Sequence, residues 1–326
     1  MSGAKSKIVV TGAAGFIGMH LCEHLVAQGF DVVGIDNLKP AYGGPWSRLR
    51  KERLESSLGL QIIQMDLADT SRLSELIELF TGSTVVHLAA WPGVKSSHEN
   101  PVDCVRANIL AFANVAEAVA QAKAERFLFA SSSSVYGDLG VNEAVREEQA
   151  TGTNVKSLYA STKWMNEQLG KSQSESNGIP TIAMRFFSVV GEFVRPDMAC
   201  WKFYKSTDEG LPVTLHGANG GARNFTYVKD AVAIVQKLIE APLVGFEAVN
   251  VTCGEPIETI TMLNEIEKNL GRSSERTVIK TPDYDIEKSW ADLTKVEALT
   301  GHTSQTPIAT VVERFSRWYT LNAKDN

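Results

Sequence analysis

Short apolar runs rich in valine and isoleucine recur along the chain, each separated from the next by a stretch of helical periodicity, and this alternation leaves few folds open. The runs are Ile8–Thr11, Val32–Ile35, Ile62–Met65, Val85–Leu88, Phe127–Ala130 and Ile182–Phe186. Strands that alternate with helices imply an α/β fold built on a doubly wound parallel sheet. The runs are apolar at successive positions rather than at every second one, as expected for strands covered on both faces. A chain of 326 residues suits one large α/β domain or two closely joined ones.

Beyond Phe187 the alternation loosens. Pro196, Pro212 and the Gly217–Gly221 stretch mark loops, and then an apolar helix (Ala231–Ile239) and a strand (Ala248–Val251) restore the pattern. The expected organisation is a dinucleotide-binding domain over 1–187, rejoined by 223–252, with a smaller interleaved lobe for substrate made of 188–222 and 253–326. The helices expected at Val102–Gln121 and Ser157–Ser174 carry apolar residues on more than one face. Packing on the sheet accounts for that pattern, and so does pairing with a second copy in a homodimer.

Composition narrows the functional classes. Hydrophobic residues make up 44% and charged residues 21%, the balance of a globular protein. The net charge is −6 and Lys and Arg are scattered, so no footprint for nucleic acid is present. No apolar run approaches the ~20 residues that span a bilayer, and the cytoplasm is the expected location. Cys22, Cys104, Cys200 and Cys253 form no C-x-x-C pair, so they read as buried thiols rather than as a metal or disulfide framework.

The first strand runs into Gly12-Ala13-Ala14-Gly15-Phe16-Ile17-Gly18, after which Ile17, Leu21 and Leu25 recur at helical spacing. Strand, glycine turn and helix in that order form a dinucleotide cradle. The backbone can approach a pyrophosphate there, and the free N–H groups and dipole of the helix N-terminus favour its charge. Asp36 ends the second strand 18 residues after Gly18, where a carboxylate accepts hydrogen bonds from both hydroxyls of an adenosine ribose and repels a 2′-phosphate. NAD rather than NADP is the expected cofactor, and Asp66 and Leu67 are placed to meet its adenine. His20-Leu21-Cys22-Glu23-His24 on the same helix fits H-x-x-E-H, but no third ligand follows and the helix already serves the sheet, so no metal is expected.

After the fifth strand comes Ser131-Ser132-Ser133-Ser134-Val135-Tyr136-Gly137, and 22 residues beyond Gly137 lies Tyr159-Ala160-Ser161-Thr162-Lys163. Tyr159 and Lys163, at i and i+4, share one helix face. Removing hydride from a carbinol requires loss of its hydroxyl proton, and a free tyrosine, with a pKa of ~10, is a poor base at neutral pH. A neighbouring ammonium and a cationic nicotinamide both favour tyrosinate. Ser132, Tyr159 and Lys163 are therefore the expected catalytic residues. Ser132 would hold the reacting hydroxyl, and Lys163 would also hold the nicotinamide ribose.

With these motifs together, the chain resembles the extended short-chain dehydrogenase/reductase superfamily over nearly its whole length. That resemblance implies a Rossmann fold and a nucleotide-sugar substrate. The 4,6-dehydratases of the superfamily carry an Asp-Glu pair just after the catalytic Thr and the uronate decarboxylases a Glu, where this chain has Ser133 and Ser134. Epimerisation by oxidation, rotation of the keto sugar and re-reduction needs no such acid. Arg185-Phe186-Phe187-Ser188, Arg195-Pro196-Asp197-Met198-Ala199, Leu88-Ala89-Ala90 and Gly93 are similar to the UDP-glucuronate 4-epimerases. The resemblance places Ser188 and Arg195 near the sugar carboxylate, Arg223 at the nucleotide diphosphate and Asp285 at the nucleoside.

Phe16, Asn37, Leu88, Ala89, Ala90, Asn108 and Phe187 are expected to complete the cofactor contacts, and Gly93, Lys95, Ser133 and Met198 those to substrate. The family's usual Tyr-Gly-Pro-Trp-Gly before the arginine is here Val190-Gly191-Glu192-Phe193-Val194, and the loop with Pro40, Gly43, Gly44 and Pro45 also departs from the usual form. A UDP-hexose 4-epimerase, an enzyme that decarboxylates a UDP-uronate as it epimerises, a net dehydrogenase releasing NADH, and a non-catalytic nucleotide-sugar-binding protein remain as other readings.

Overall fold

The computed structural model describes residues 6–39, 44–139, 143–217, 219–282, 288–301 and 305–323. Each apolar run identified above falls on a strand, with Met65 and Leu88 one residue beyond theirs: β1 (Lys7–Thr11), β2 (Asp31–Asp36), β3 (Ile62–Gln64), β4 (Ser83–His87), β5 (Arg126–Ser132) and β6 (Thr181–Phe186). The later run falls in Phe246–Val251, which joins the same sheet. The order across it is Phe246–Val251, β6, β5, β4, β1, β2, β3, and every pairing is parallel. β4 begins at Ser83, two residues before the apolar run, where it pairs with Lys7 of β1; Ser83 is buried with its hydroxyl donated to the Phe80 carbonyl at 2.8 Å.

The two faces of the sheet are separate cores, as double coverage requires. Val9, Ile35, Val85, Phe127, Phe129 and Ala183 pack with helices Leu73–Phe80 and Ala111–Ala122. Their neighbours in sequence, Ile8, Val10, Val86, Leu128, Ile182 and Met184, pack with helices Phe16–Ala27 and Val228–Glu240. This second core continues into the C-terminal part of the chain, where Trp201 meets Trp46 with ring centroids at 4.8 Å and Tyr319 at 5.1 Å. Edge-on aromatic pairs of this kind add ~0.5–1.5 kcal/mol beyond the area they bury, so the C-terminal part of the chain shares one interior with this face of the sheet.

The stretch expected as one helix at Val102–Gln121 is helical from 101 to 122, but Arg106–Leu110 forms a π turn within it. The helix expected at Ser157–Ser174 spans Leu158–Asn177, with Ser157 Oγ accepting from the Ala160 amide at 3.1 Å as its N-cap. Outside the main sheet, Ser188–Val190 pairs with Phe225–Tyr227, and Ala222–Arg223 pairs with Ile257–Glu258 and Lys288–Ser289. Among the described residues no helix is long and apolar enough to cross a membrane.

The chain passes from β1 through β2 to β3 on one side, then crosses to β4, β5 and β6 on the other. A parallel sheet leaves a crevice beyond the carboxyl ends of its strands at such a reversal. The glycine turn after β1 and the segment after β4 open into it together.

Candidate active site

That crevice is a cavity of about 650 Å³ lined by the glycine turn, the ends of β2, β4, β5 and β6, and the segments carrying Tyr159, Arg195 and Arg223. Gly12, Gly15, Phe16, Ile17, Gly18, Asp36, Asn37, Asp66, Leu67, Leu88, Ala89, Ala90 and Phe187 all line it. Positions 12 and 18 admit only glycine for steric reasons. A Cβ on Gly18 would stand 2.0 Å from the Gly12 carbonyl oxygen, and one on Gly12, whose φ is 70°, would stand 2.6 Å from the Ala89 amide nitrogen. The turn is thus folded tightly onto the end of β4. Helix Phe16–Ala27 follows with Gly15 at its N-cap and no side-chain cap, so its first amides offer hydrogen bonds at the positive end of the helix dipole.

Asp36 is fixed at the rim of the turn, its carboxylate accepting from the Ala14 amide at 3.0 Å and the Leu38 amide at 2.8 Å. Burial pushes its pKa up, while those two amides and the charge of Arg50 pull it down. An uncapped helix start, a glycine turn and a carboxylate already ordered at the pocket wall fit NAD by geometry and charge. Asp66 accepts from the Ala68 amide and pairs with Arg106 at 3.0 Å, close to Leu67.

Ser132 and Ser133 line the pocket where β5 ends, with the Ser132 hydroxyl accepting from the Ser134 amide at 3.2 Å. Tyr159 and Lys163 line it from one face of their helix. The Lys163 ammonium donates to the Ala130 carbonyl at 2.7 Å and lies 5.8 Å from the centre of the Tyr159 ring. Burial lowers the Lys163 pKa to about 8. Burial also raises that of Tyr159, against a downward pull from the charge of Arg195 and from its hydrogen bond with Ser132. Arg195 thus brings a positive charge that favours tyrosinate, in the same pocket as Lys163.

A buried polar network stands behind these residues. Glu167, one turn beyond Lys163, accepts from Ser131 Oγ and takes two hydrogen bonds from Arg185. Arg185 also donates to the Tyr136 hydroxyl at 3.1 Å and the Glu147 carbonyl at 2.7 Å. It does not line the pocket. Its place is to hold the end of β5, and so Ser132, against the helix of Tyr159.

Gly93, Ser188, Arg195, Met198 and Arg223 line the pocket as expected from sequence. Arg195 forms an ion pair with Asp197, with Nε and one terminal nitrogen each 3.1 Å from a carboxylate oxygen. This pair lies within one loop, two residues apart in sequence. Arg223 donates to the Ala222 carbonyl at 3.0 Å.

Two expected contacts are placed elsewhere. Asn108 is buried behind the pocket wall, where its side chain accepts from the Trp91 amide at 2.6 Å and donates to the Trp91 carbonyl and the Thr162 hydroxyl. The π turn sets this asparagine inward, and it shapes the wall instead of lining it. Lys95 is 75% exposed, pairs with Glu99 at 3.6 Å and is not among the lining residues. Asp285 lies outside the described residues, as do Pro40 and Gly43. The two histidines of the H-x-x-E-H string bond to other groups: His20 Nε2 to the Glu192 carbonyl at 3.0 Å, and His24 Nε2 to Gln236 Oε1 at 2.6 Å.

Arg50, Trp46, Trp91 and Lys156 also line the pocket and were not singled out from sequence. Arg50 and Trp46 lie on helix Trp46–Leu58, whose sequence reads as an ordinary charged surface helix. Only the tertiary fold gives them a role.

The model of the NAD dependent epimerase/dehydratase family matches residues 8–252. A probable UDP-glucuronate 4-epimerase of Rhizobium meliloti is 31% identical over 97% of this chain and 97% of its own. A UDP-glucuronate 4-epimerase of Thermodesulfobacterium geofontis is 32% identical over 95% of each chain. Among solved structures, the UDP-glucuronic acid 4-epimerase of Bacillus cereus in complex with UDP-glucuronic acid and NAD superposes with a TM-score of 0.89 at 29% identity, covering 97% of this chain and 99% of that one.

Proposed function

This chain belongs to the NAD-dependent epimerase/dehydratase family, and we propose that within it the protein is an NAD-dependent enzyme that interconverts UDP-glucuronate and UDP-galacturonate by inverting C4. The observation that carries this reading is Arg195 in one cavity with Ser132, Tyr159, Lys163 and the glycine turn. A guanidinium at that place suits a substrate with a carboxylate. The relatives named as UDP-glucuronate 4-epimerases support the same choice over a neutral hexose.

When held on the glycine turn, NAD would supply reversible hydride acceptance at C4 of the sugar. The residues of the chain do the rest. Tyr159 takes the C4 hydroxyl proton as the carbonyl forms and returns it as the carbonyl is reduced. Ser132 holds that oxygen, and Lys163, locked to Ala130, keeps its charge beside the tyrosine. The oxidised sugar is a β-keto acid, which loses carbon dioxide when its carboxylate bond aligns with the carbonyl π system. Arg195, braced by Asp197, and Ser188 hold the carboxylate out of that alignment. Ser133 and Ser134 supply no acid for elimination. Arg223 serves the diphosphate and Met198 the sugar. Asp36 and Asn37 serve the adenosine ribose, and Asp66 and Leu67 the adenine.

The division into a cofactor domain (1–187 with 223–252) and a substrate lobe (188–222 with 253–326) belongs to this reading, with reaction at their junction. So does a homodimer. Val102 is 80% exposed, Met165 49%, Val105 44% and Leu110 41%, and these apolar side chains sit on the two helices expected to pair. Exposed apolar patches on adjacent helices favour association with a second copy.

The test of substrate class compares turnover of UDP-glucuronate and UDP-glucose at equal concentration, together with assay of NAD released on denaturation. Preference for the uronate with bound NAD supports the reading; equal or better use of UDP-glucose moves it to a neutral-sugar epimerase.

A further inference from the structure

The loop that brings Arg195 to the pocket is held in a costly conformation by residues distant in sequence. Phe193 is a non-glycine residue with φ of 60°, a region that costs an L-residue roughly 1–2 kcal/mol. Such a conformation persists only where its surroundings over-determine it. Here the Glu192 carbonyl bonds to His20 Nε2 at 3.0 Å, Glu192 Oε1 accepts from the Tyr227 hydroxyl at 3.1 Å, and the Phe193 ring packs on Trp318 with centroids 4.8 Å apart.

A further restraint is Arg50. It is 6% exposed and donates one terminal nitrogen to the Phe193 carbonyl at 2.8 Å and the other to the Ala14 carbonyl, in the glycine turn, at 3.4 Å. Its Nε is buried and has no hydrogen-bond partner among the described residues. Among the described residues no carboxylate lies within ion-pair distance of it, and the carboxylate of Asp36 acts on it only through its charge. A buried guanidinium that satisfies two carbonyls and no carboxylate is expensive. Its two bonds join the cofactor turn, at one end, to the loop two residues before Arg195, at the other.

We infer that Arg50 is a positioning residue that sets Arg195 in register with the cofactor turn, so that the sugar carboxylate is gripped in a fixed relation to the carbon being oxidised. The inference rests on the UDP-uronate reading. A guanidinium meets the two carbonyls with two separate nitrogens in a fixed plane, a geometry that a lysine ammonium does not reproduce. Loosening the span lets the loop drift, and the β-keto acid then reaches the alignment that loses carbon dioxide.

The test uses the full-length protein with its bound NAD, in wild-type form and as Arg50→Lys, Arg50→Met, Arg195→Ala and the double variant Arg50→Met/Arg195→Ala. Products from UDP-glucuronate are resolved by NMR, and backbone exchange over residues 192–198 is followed by mass spectrometry without substrate. The expected result is a rise of about threefold or more in UDP-pentose relative to UDP-galacturonate in each folded Arg50 variant, with no further rise in the double variant over Arg195→Ala. Exchange in 192–198 should be about tenfold faster, as loss of a charged hydrogen bond implies. Wild-type partition in either folded Arg50 variant, additive effects in the double variant, or failure of both Arg50 variants to fold would each overturn the inference. If wild-type protein makes no UDP-galacturonate, the uronate reading itself has failed, and the exchange result still reports whether Arg50 restrains the loop.

Discussion

The guanidinium of Arg185 and the carboxylate of Glu167 meet through two parallel hydrogen bonds, 2.9 Å from Nε and 2.7 Å from a terminal nitrogen, with only 3% and 2% of the side chains exposed. Removing one partner leaves an uncompensated charge in the interior, which costs about 3–5 kcal/mol. Arg185→Met should therefore lower the thermal midpoint by several degrees at least, while Arg185→Met/Glu167→Met recovers part of the loss. Thermal melts of both variants check this; equal destabilisation in the two would mean that the pair is not the unit.

Tyr159→Phe removes the hydroxyl that exchanges the C4 proton and leaves the ring in place. The rate should fall by about 10²–10⁴-fold with little change in stability or NAD content. Steady-state assay beside a melt decides, and activity within tenfold of wild type would transfer the proton to another group.

Burial lowers the Lys163 pKa to about 8 from an unfolded value of 10.5. A charged lysine that is harder to protonate when folded destabilises the fold, fully so below pH 8, and that cost disappears as pH rises from about 8 to 10.5, where the unfolded state also loses its proton. Lys163→Met should accordingly be more stable relative to wild type at pH 7 than at pH 10, although inactive. Paired melts across that range measure the difference. A gap that widens with pH would contradict the burial effect.

If the helices of Val102 and Met165 pair with a second copy, Val102→Glu/Met165→Glu should sediment as a monomer where wild type sediments as a dimer. Wild type that is already monomeric, or a doubly substituted dimer, removes that interface.

The strands, the glycine turn and the Tyr159–Lys163 pair were legible in the sequence because each is local. Apolar runs, steric demands and an i, i+4 spacing show themselves within a few residues. Val9 and Val10 face opposite cores, and a doubly covered strand announces that by lacking alternation. Glu167 was within reach of the same logic, since it stands one turn beyond Lys163 on the face that Tyr159 and Lys163 share. Arg50 was not, because its partner Phe193 is 143 residues away and nothing near position 50 marks a loop to be held. The contacts of Asn108 with Trp91 and Thr162 were not legible either, because it lies in a π turn that changes which side chains of its helix face inward.

The account turns on Arg195 as a carboxylate ligand that prevents decarboxylation, and the most direct measurement is NMR of UDP-glucuronate incubated with purified wild type and Arg195→Ala, without added reductant. The account predicts UDP-galacturonate as the main product of wild type and a rise in UDP-pentose relative to epimer for the variant. UDP-pentose from wild type, or an unchanged partition in a folded variant, would contradict it.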